Sequence, residues 1–260
     1  GRADDALAAL DLAWRLGRLD LEAELAERLQ ARRVVEAGLG FRYVPAGPFL
    51  MGSDAGDDDE APAHVVRLSA FYVAERVIRW GDLEGWQGLR DHDHNMMSWA
   101  RDRPITSFAY NRVQDALLGL SAARRAGRPR YVLLTEAQWE RVRRGALLTA
   151  TGSNPYGVNL GDPPEWTADF YDSTTYDRGA CSDPTGPPAG EDLVVRGSFA
   201  GPAFVKRATF RESVDAAGSF EGRHRAEPWK VARGKTHVAG RRLPSVAGVT
   251  FRAAFPAEPA

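Results

Sequence analysis

From Phe41 onward, glycine and proline interrupt the chain too often for any long helix or strand to form, and this limits the fold more than any other feature. The sequence holds 26 Gly and 16 Pro in 260 residues. Pro155, Gly157, Gly161, Pro163 and Pro164 alone keep 152–165 out of regular structure. A chain punctuated this way must hold its loops with large side chains, and 7 Trp, 7 Tyr and 11 Phe supply them. The expectation is an irregular α+β domain of short twisted sheets and long loops. Within it, Thr135 and Gln138 are spaced as a capping box that opens a helix at Glu136, with Trp139 on the buried face. The acidic stretch Asp54–Glu60 reads as a solvated loop. No internal repeat is present.

The first residues follow another rule. Leu7, Leu10 and Trp14 keep a helical stripe, and Leu21, Leu25 and Leu29 recur every fourth residue. Gly17 breaks the pattern and Asp20 suits the N-cap of a second helix. Residues 3–37 are therefore expected to form a helical hairpin, as an extension over 1–38 ahead of a domain over 39–260. Gly38 and Gly40 mark the boundary. The extension either packs on its own domain or offers a docking surface to a partner.

Charge and cysteine content narrow the function classes. A net charge of −1 gives no global attraction to nucleic acid or an anionic membrane. One cysteine, Cys181, rules out an intramolecular disulfide and any multi-cysteine zinc site within this sequence. No apolar run approaches the roughly 20 residues that span a bilayer. No membrane association and a cytoplasmic location are the corresponding expectations.

Several segments, in order, resemble one known family. Pro45-Ala46-Gly47-Pro48-Phe49-Leu50-Met51-Gly52-Ser53 is followed by Pro62-Ala63-His64-Val65-Val66. Trp80-Gly81-Asp82-Leu83-Glu84-Gly85-Trp86 comes next, then Arg103-Pro104-Ile105-Thr106-Ser107-Phe108 with Gln114-Asp115-Ala116. Leu134-Thr135-Glu136-Ala137-Gln138-Trp139-Glu140 precedes Arg144-Gly145. Glu165-Trp166-Thr167 and Arg196-Gly197-Ser198-Phe199 follow, and Gly248-Val249-Thr250-Phe251-Arg252 closes the set. The ordered set resembles the formylglycine-generating-enzyme family, also called the sulfatase-modifying-factor domain, whose fold is C-type-lectin-like. The resemblance covers roughly residues 41–255. It implies that Trp166 is buried and that Arg196 and Arg252 are held by carboxylates or carbonyls in the core.

Departures from the family pattern bear on chemistry. The oxidase works through paired thiols that bind copper after the Arg-Gly-Gly-Ser run. The matching residues here, Ala200 to Arg207, contain none. Soft Cu(I) needs thiolate or thioether ligands, so formylglycine formation is not expected, and Cys181, outside the C-terminal core, reads as a free buried or semi-buried thiol. Family members carry a longer calcium-bearing segment where only residues 145–153 lie between Arg144 and Asn154. Asp162 could still offer a hard oxygen, but Pro163 and Pro164 alter the backbone beside it. The expected cofactor set is therefore none, with calcium as the open alternative. Sulfoxide synthases with this domain use iron held by histidines of a helical domain, and residues 1–38 contain no His.

One other metal candidate is Asp91-His92-Asp93-His94-Asn95. In an extended segment His92 and His94 would share a side and could hold Zn²⁺ between flanking carboxylates. Otherwise the stretch is a polar loop between two helices. There is no Gly-x-Ser-x-Gly elbow and no glycine-rich phosphate loop.

The last departure is an insertion before the closing Phe251-Arg252. Over 212–244, Arg223, Arg225, Lys230, Arg233, Lys235, Arg241 and Arg242 outnumber Glu212, Asp215, Glu221 and Glu227, and Phe220 and Trp229 are interspersed. Basic residues with an aromatic can stack on and neutralise an anionic ligand such as nucleic acid. They can equally face solvent while Trp229 packs on the core. In active relatives the substrate groove is lined by the residues after the arginine-glycine run. Phe199, Phe204, Lys206, Arg207, Arg223 and Trp229 are thus the expected ligand contacts. Retroelement-diversified binding proteins use the same fold and region as a variable surface. Their asparagine-rich signature is missing, since 212–244 has no Asn.

The resulting expectation is a non-catalytic recognition or scaffold module that binds a protein or other ligand through its C-terminal loops. Such a module suits a place in a bacterial signalling or defence assembly. The alternative is a metal-dependent, oxidase- or oxygenase-like enzyme using a non-cysteine site on the same fold.

Overall fold

The computed structural model describes residues 33–54, 58–106, 108–124, 126–146, 156–158, 160, 163–190, 192–197, 211–215 and 249–257. Among the described residues, three small sheets and three α-helices are joined by long connections, a mixed α+β architecture. The first sheet orders β1 (Arg33–Glu36), β2 (Leu39–Val44), β5 (Phe71–Ala74) and β10 (Ala254–Pro256) as β1-β2-β5-β10, all antiparallel. The second holds β3 (Gly47–Met51), β4 (His64–Leu68) and β7 (Cys181–Ser182), with β7 parallel to β4. The third orders β6 (Glu165–Phe170), β8 (Asp192–Arg196) and β9 (Arg211–Asp215) as an antiparallel β6-β8-β9. The helices are α1 (Asp91–Ala100), α2 (Tyr110–Ala122) and α3 (Glu136–Ala146).

The helical reading of 3–37 needs correcting at its end, because Arg33–Glu36 is a strand. Ala37 and Gly38, at φ 49° and 78°, make a two-residue turn that matches the twist of flanking strands, and Glu36 then faces Leu39. Strand pairing also brings Arg33 Nε to Glu75 Oε1 at 2.8 Å. The rest of the expected hairpin lies outside the described residues.

Two hydrophobic clusters fill the interior. One joins the first sheet to α1 and α2 through Leu39, Phe41, Trp80, Phe108, Leu117, Trp166 and Phe251. The other joins the second sheet to α3 through Phe49, Met51, Val66, Phe71, Trp139 and Tyr156. Phe108 touches Trp80 edge-on at 5.5 Å and stacks on Phe251 at 6.2 Å, within the range that favours aromatic pairs. Trp86 lies across α2 where Gly119 leaves room for it; a Cβ there would come within 2.1 Å of the indole.

The capping box forms as its spacing predicts. Gln138 N donates to Thr135 Oγ1 at 3.2 Å, and Thr135 N donates to Gln138 Oε1 at 2.9 Å. Trp139 is 1% exposed. The acidic stretch differs from expectation: Asp58–Glu60 is a 3-10 turn and Glu60 is fully buried. Ala63 N donates to Asp54 Oδ1 at 2.8 Å, and the Tyr171 hydroxyl donates to Asp59 Oδ2 at 2.7 Å. One nearby and one distant donor thus hold the turn against the domain. Among the described residues, no helix is long and apolar enough to cross a membrane.

Candidate functional site

Two buried arginines tie the C-terminal half together. Arg196 closes β8. Its Nη1 donates to Glu136 Oε1 at 3.0 Å and its Nη2 to Glu140 Oε2 at 2.6 Å. Glu136 and Glu140 sit four residues apart, so both project from the same face of α3 toward one guanidinium. The guanidinium also lies over the Trp139 ring, 5.2 Å from its centroid. Each carboxylate has further work. Glu140 Oε1 accepts Gly52 N at 2.8 Å, and Glu136 Oε1 takes the Tyr176 hydroxyl at 3.4 Å. The α3 N-terminus is secured by Glu136 N donating to Asp169 Oδ2 at 2.7 Å.

Arg252 pairs with Glu165 through two parallel bonds of 2.9 Å, the fork geometry that suits arginine over lysine. A third bond of 2.8 Å reaches the Ala74 carbonyl. Trp166 is 1% exposed, and its Nε1 donates to the Phe108 carbonyl at 3.3 Å. All three residues hold the structural places expected of them. Their partners Glu136, Glu140 and Glu165 were missed as partners, although each lies inside a quoted motif.

These contacts fix one end of the third sheet. Glu165 faces Arg196, and Arg196 faces Arg211. Thr250 pairs with Glu165 on the other side, with Trp166 N donating to the Thr250 carbonyl at 2.9 Å and Thr250 N to the Pro164 carbonyl at 2.8 Å. Thr250, Glu165, Arg196 and Arg211 therefore form a row. The chain leaves the row at Gly197, whose φ of 106° favours glycine, and re-enters at Arg211. It leaves the opposite end of the sheet at Asp215, which faces Asp192, and returns to the row at Val249–Thr250. Segment 198–210 thus has both its ends rooted on this row, and segment 216–248 only its C-terminal end.

The expected ligand contacts Phe199, Phe204, Lys206, Arg207, Arg223 and Trp229 all belong to those two segments and lie outside the described residues, as does Asp162. The histidine candidates are placed. Residues 91–100 are helical rather than extended or looped, because Asp93 Oδ2 accepts Arg90 N at 2.7 Å and caps the first turn. Helical geometry turns His92 and His94 about 200° apart at 3.6 residues per turn. Both are exposed, while Asp93 between them is buried against Arg112. Burial pushes the Asp93 carboxyl up, but bonds from Arg112 and the Arg90 amide outweigh it and hold the group below the usual range. The pair therefore lacks the shared face that a zinc site needs. Among the described residues, no group of three or more His, Cys, Asp or Glu side chains could hold a metal.

Cys181 is half-buried on β7, in the second sheet and away from the row. Burial pushes its thiol pKa up, only partly countered by Arg178, which lowers the fraction of reactive thiolate.

The fold and this root define the chain as a mixed α+β protein whose salt-linked core carries two long C-terminal segments. Among solved structures it is similar to PvdO from Pseudomonas aeruginosa, at TM-score 0.59 and 17% identity over 86% of this chain and 96% of that one. It is also similar to Treponema denticola variable protein 1, at TM-score 0.59 and 15% identity over 87% and 99%. At such identity the likeness is one of fold. A scan against protein-family models and a search of curated proteins each found no match.

Proposed function

We propose that this chain is a divergent member of the formylglycine-generating-enzyme fold, C-type-lectin-like in architecture, that acts as a non-catalytic recognition module. It binds a protein or other ligand through segments 198–210 and 216–248. The observation that carries this reading is the row Thr250–Glu165–Arg196–Arg211, where segment 198–210 begins and ends and segment 216–248 returns, on a core locked by two buried arginines. Loops on such a base can vary in sequence without loss of the fold. The fold likeness to PvdO and the Treponema variable protein supports a shared mixed α+β architecture, and the ordered motifs carry the finer assignment. The missing thiols of 196–211 and the position of Cys181 argue against the oxidase chemistry of the family.

The test replaces 217–247 by a flexible linker. The gap runs the length of β9 and three strand spacings sideways, about 20 Å at ~3.3 Å per residue and ~4.8 Å between strands. A Gly/Ser linker of about 12 residues has a matching root-mean-square reach of roughly 19 Å. The replaced protein should keep its circular dichroism and melting transition while losing the binding partner that the whole chain retains from extracts of its source cells. Equal retention by both would place recognition elsewhere. Aldehyde formation on a Cys-x-Pro-x-Arg peptide with copper and oxygen, or stoichiometric metal coupled to turnover, would favour the metal-dependent enzyme instead.

A further inference from the structure

We draw no further inference here: the strongest candidate, an apolar cleft of about 240 Å³ at the edge of β10 between Phe71, Val132, Phe255 and the Asp183–Thr185 turn, carries nothing because nothing in the structure shows what covers it.

Discussion

Replacing Arg196 by methionine tests the buried lock most directly. The substitution roughly keeps the volume of the side chain and removes its charge and five donors. Glu140, fully buried, then loses its bond to Nη2 while keeping that from Gly52 N, and Glu136 loses its bond to Nη1 while keeping the long one from Tyr176. Taking one partner from a buried ion pair costs about 3–5 kcal/mol, since an uncompensated charge remains out of water. Two carboxylates lose the same partner here, so the upper end, about 5 kcal/mol, is expected. That is comparable to the whole stability of a marginal domain, about 5–15 kcal/mol. For a domain of 150–250 residues it corresponds to a fall in Tm of roughly 10–20 °C. Urea denaturation followed by tryptophan fluorescence and a thermal melt would both read it. Adding Glu136→Gln and Glu140→Gln removes the two charges that Arg196 faced, and the triple variant should recover at least about 2 kcal/mol of the loss. A loss below about 1 kcal/mol for the single variant, or no recovery in the triple, would refute the view that Arg196 neutralises these two groups.

Other outcomes follow from the same contacts. Trp166→Ala should cost about 3–5 kcal/mol through the cavity it leaves, and an unchanged Tm would show that the indole does not carry the packing seen here. Gly119→Ala should displace Trp86 and cost about 1–3 kcal/mol by overpacking; a changed near-ultraviolet dichroism would report the ring's movement, and an unchanged one would contradict the close approach. Because the folded pKa of Asp93 is depressed, its contribution is present above the unfolded value near ~3.9. It is lost as pH falls further through the folded pKa, so Asp93→Asn should flatten the acid limb of the stability curve below about pH 4. An identical acid limb in both proteins would remove Asp93 from that role.

Some of this protein was legible in its sequence because the signals are short-range. The Thr135–Gln138 capping box needs only three residues, and it formed as read. The dense punctuation by glycine and proline pointed to small sheets and long connections, which is what the described residues show. The burial of Trp166 and the pairing of Arg196 and Arg252 followed from the family resemblance, since the motif order carries information that composition does not. The lack of thiols in 196–211 is a property of sequence alone.

Other features were settled by contacts between distant residues. Arg33–Glu36 is a strand because β2 lies beside it and Glu75, 42 residues away from Arg33, accepts its guanidinium. The helix over 91–100 opens on Asp93, which accepts the Arg90 amide and whose burial is compensated by Arg112, 19 residues away. The carboxylate partners of the two core arginines lie 60, 56 and 87 residues from them. Periodicity cannot name a partner at that distance, because any buried carboxylate with the right geometry would serve. Only the packing of α3 against β8, and of Phe251–Arg252 against β6, decides which carboxylate is there. That same packing brings Arg196, Arg211 and Thr250 into one row, and so gathers at one end of a sheet both ends of segment 198–210 and the return of segment 216–248.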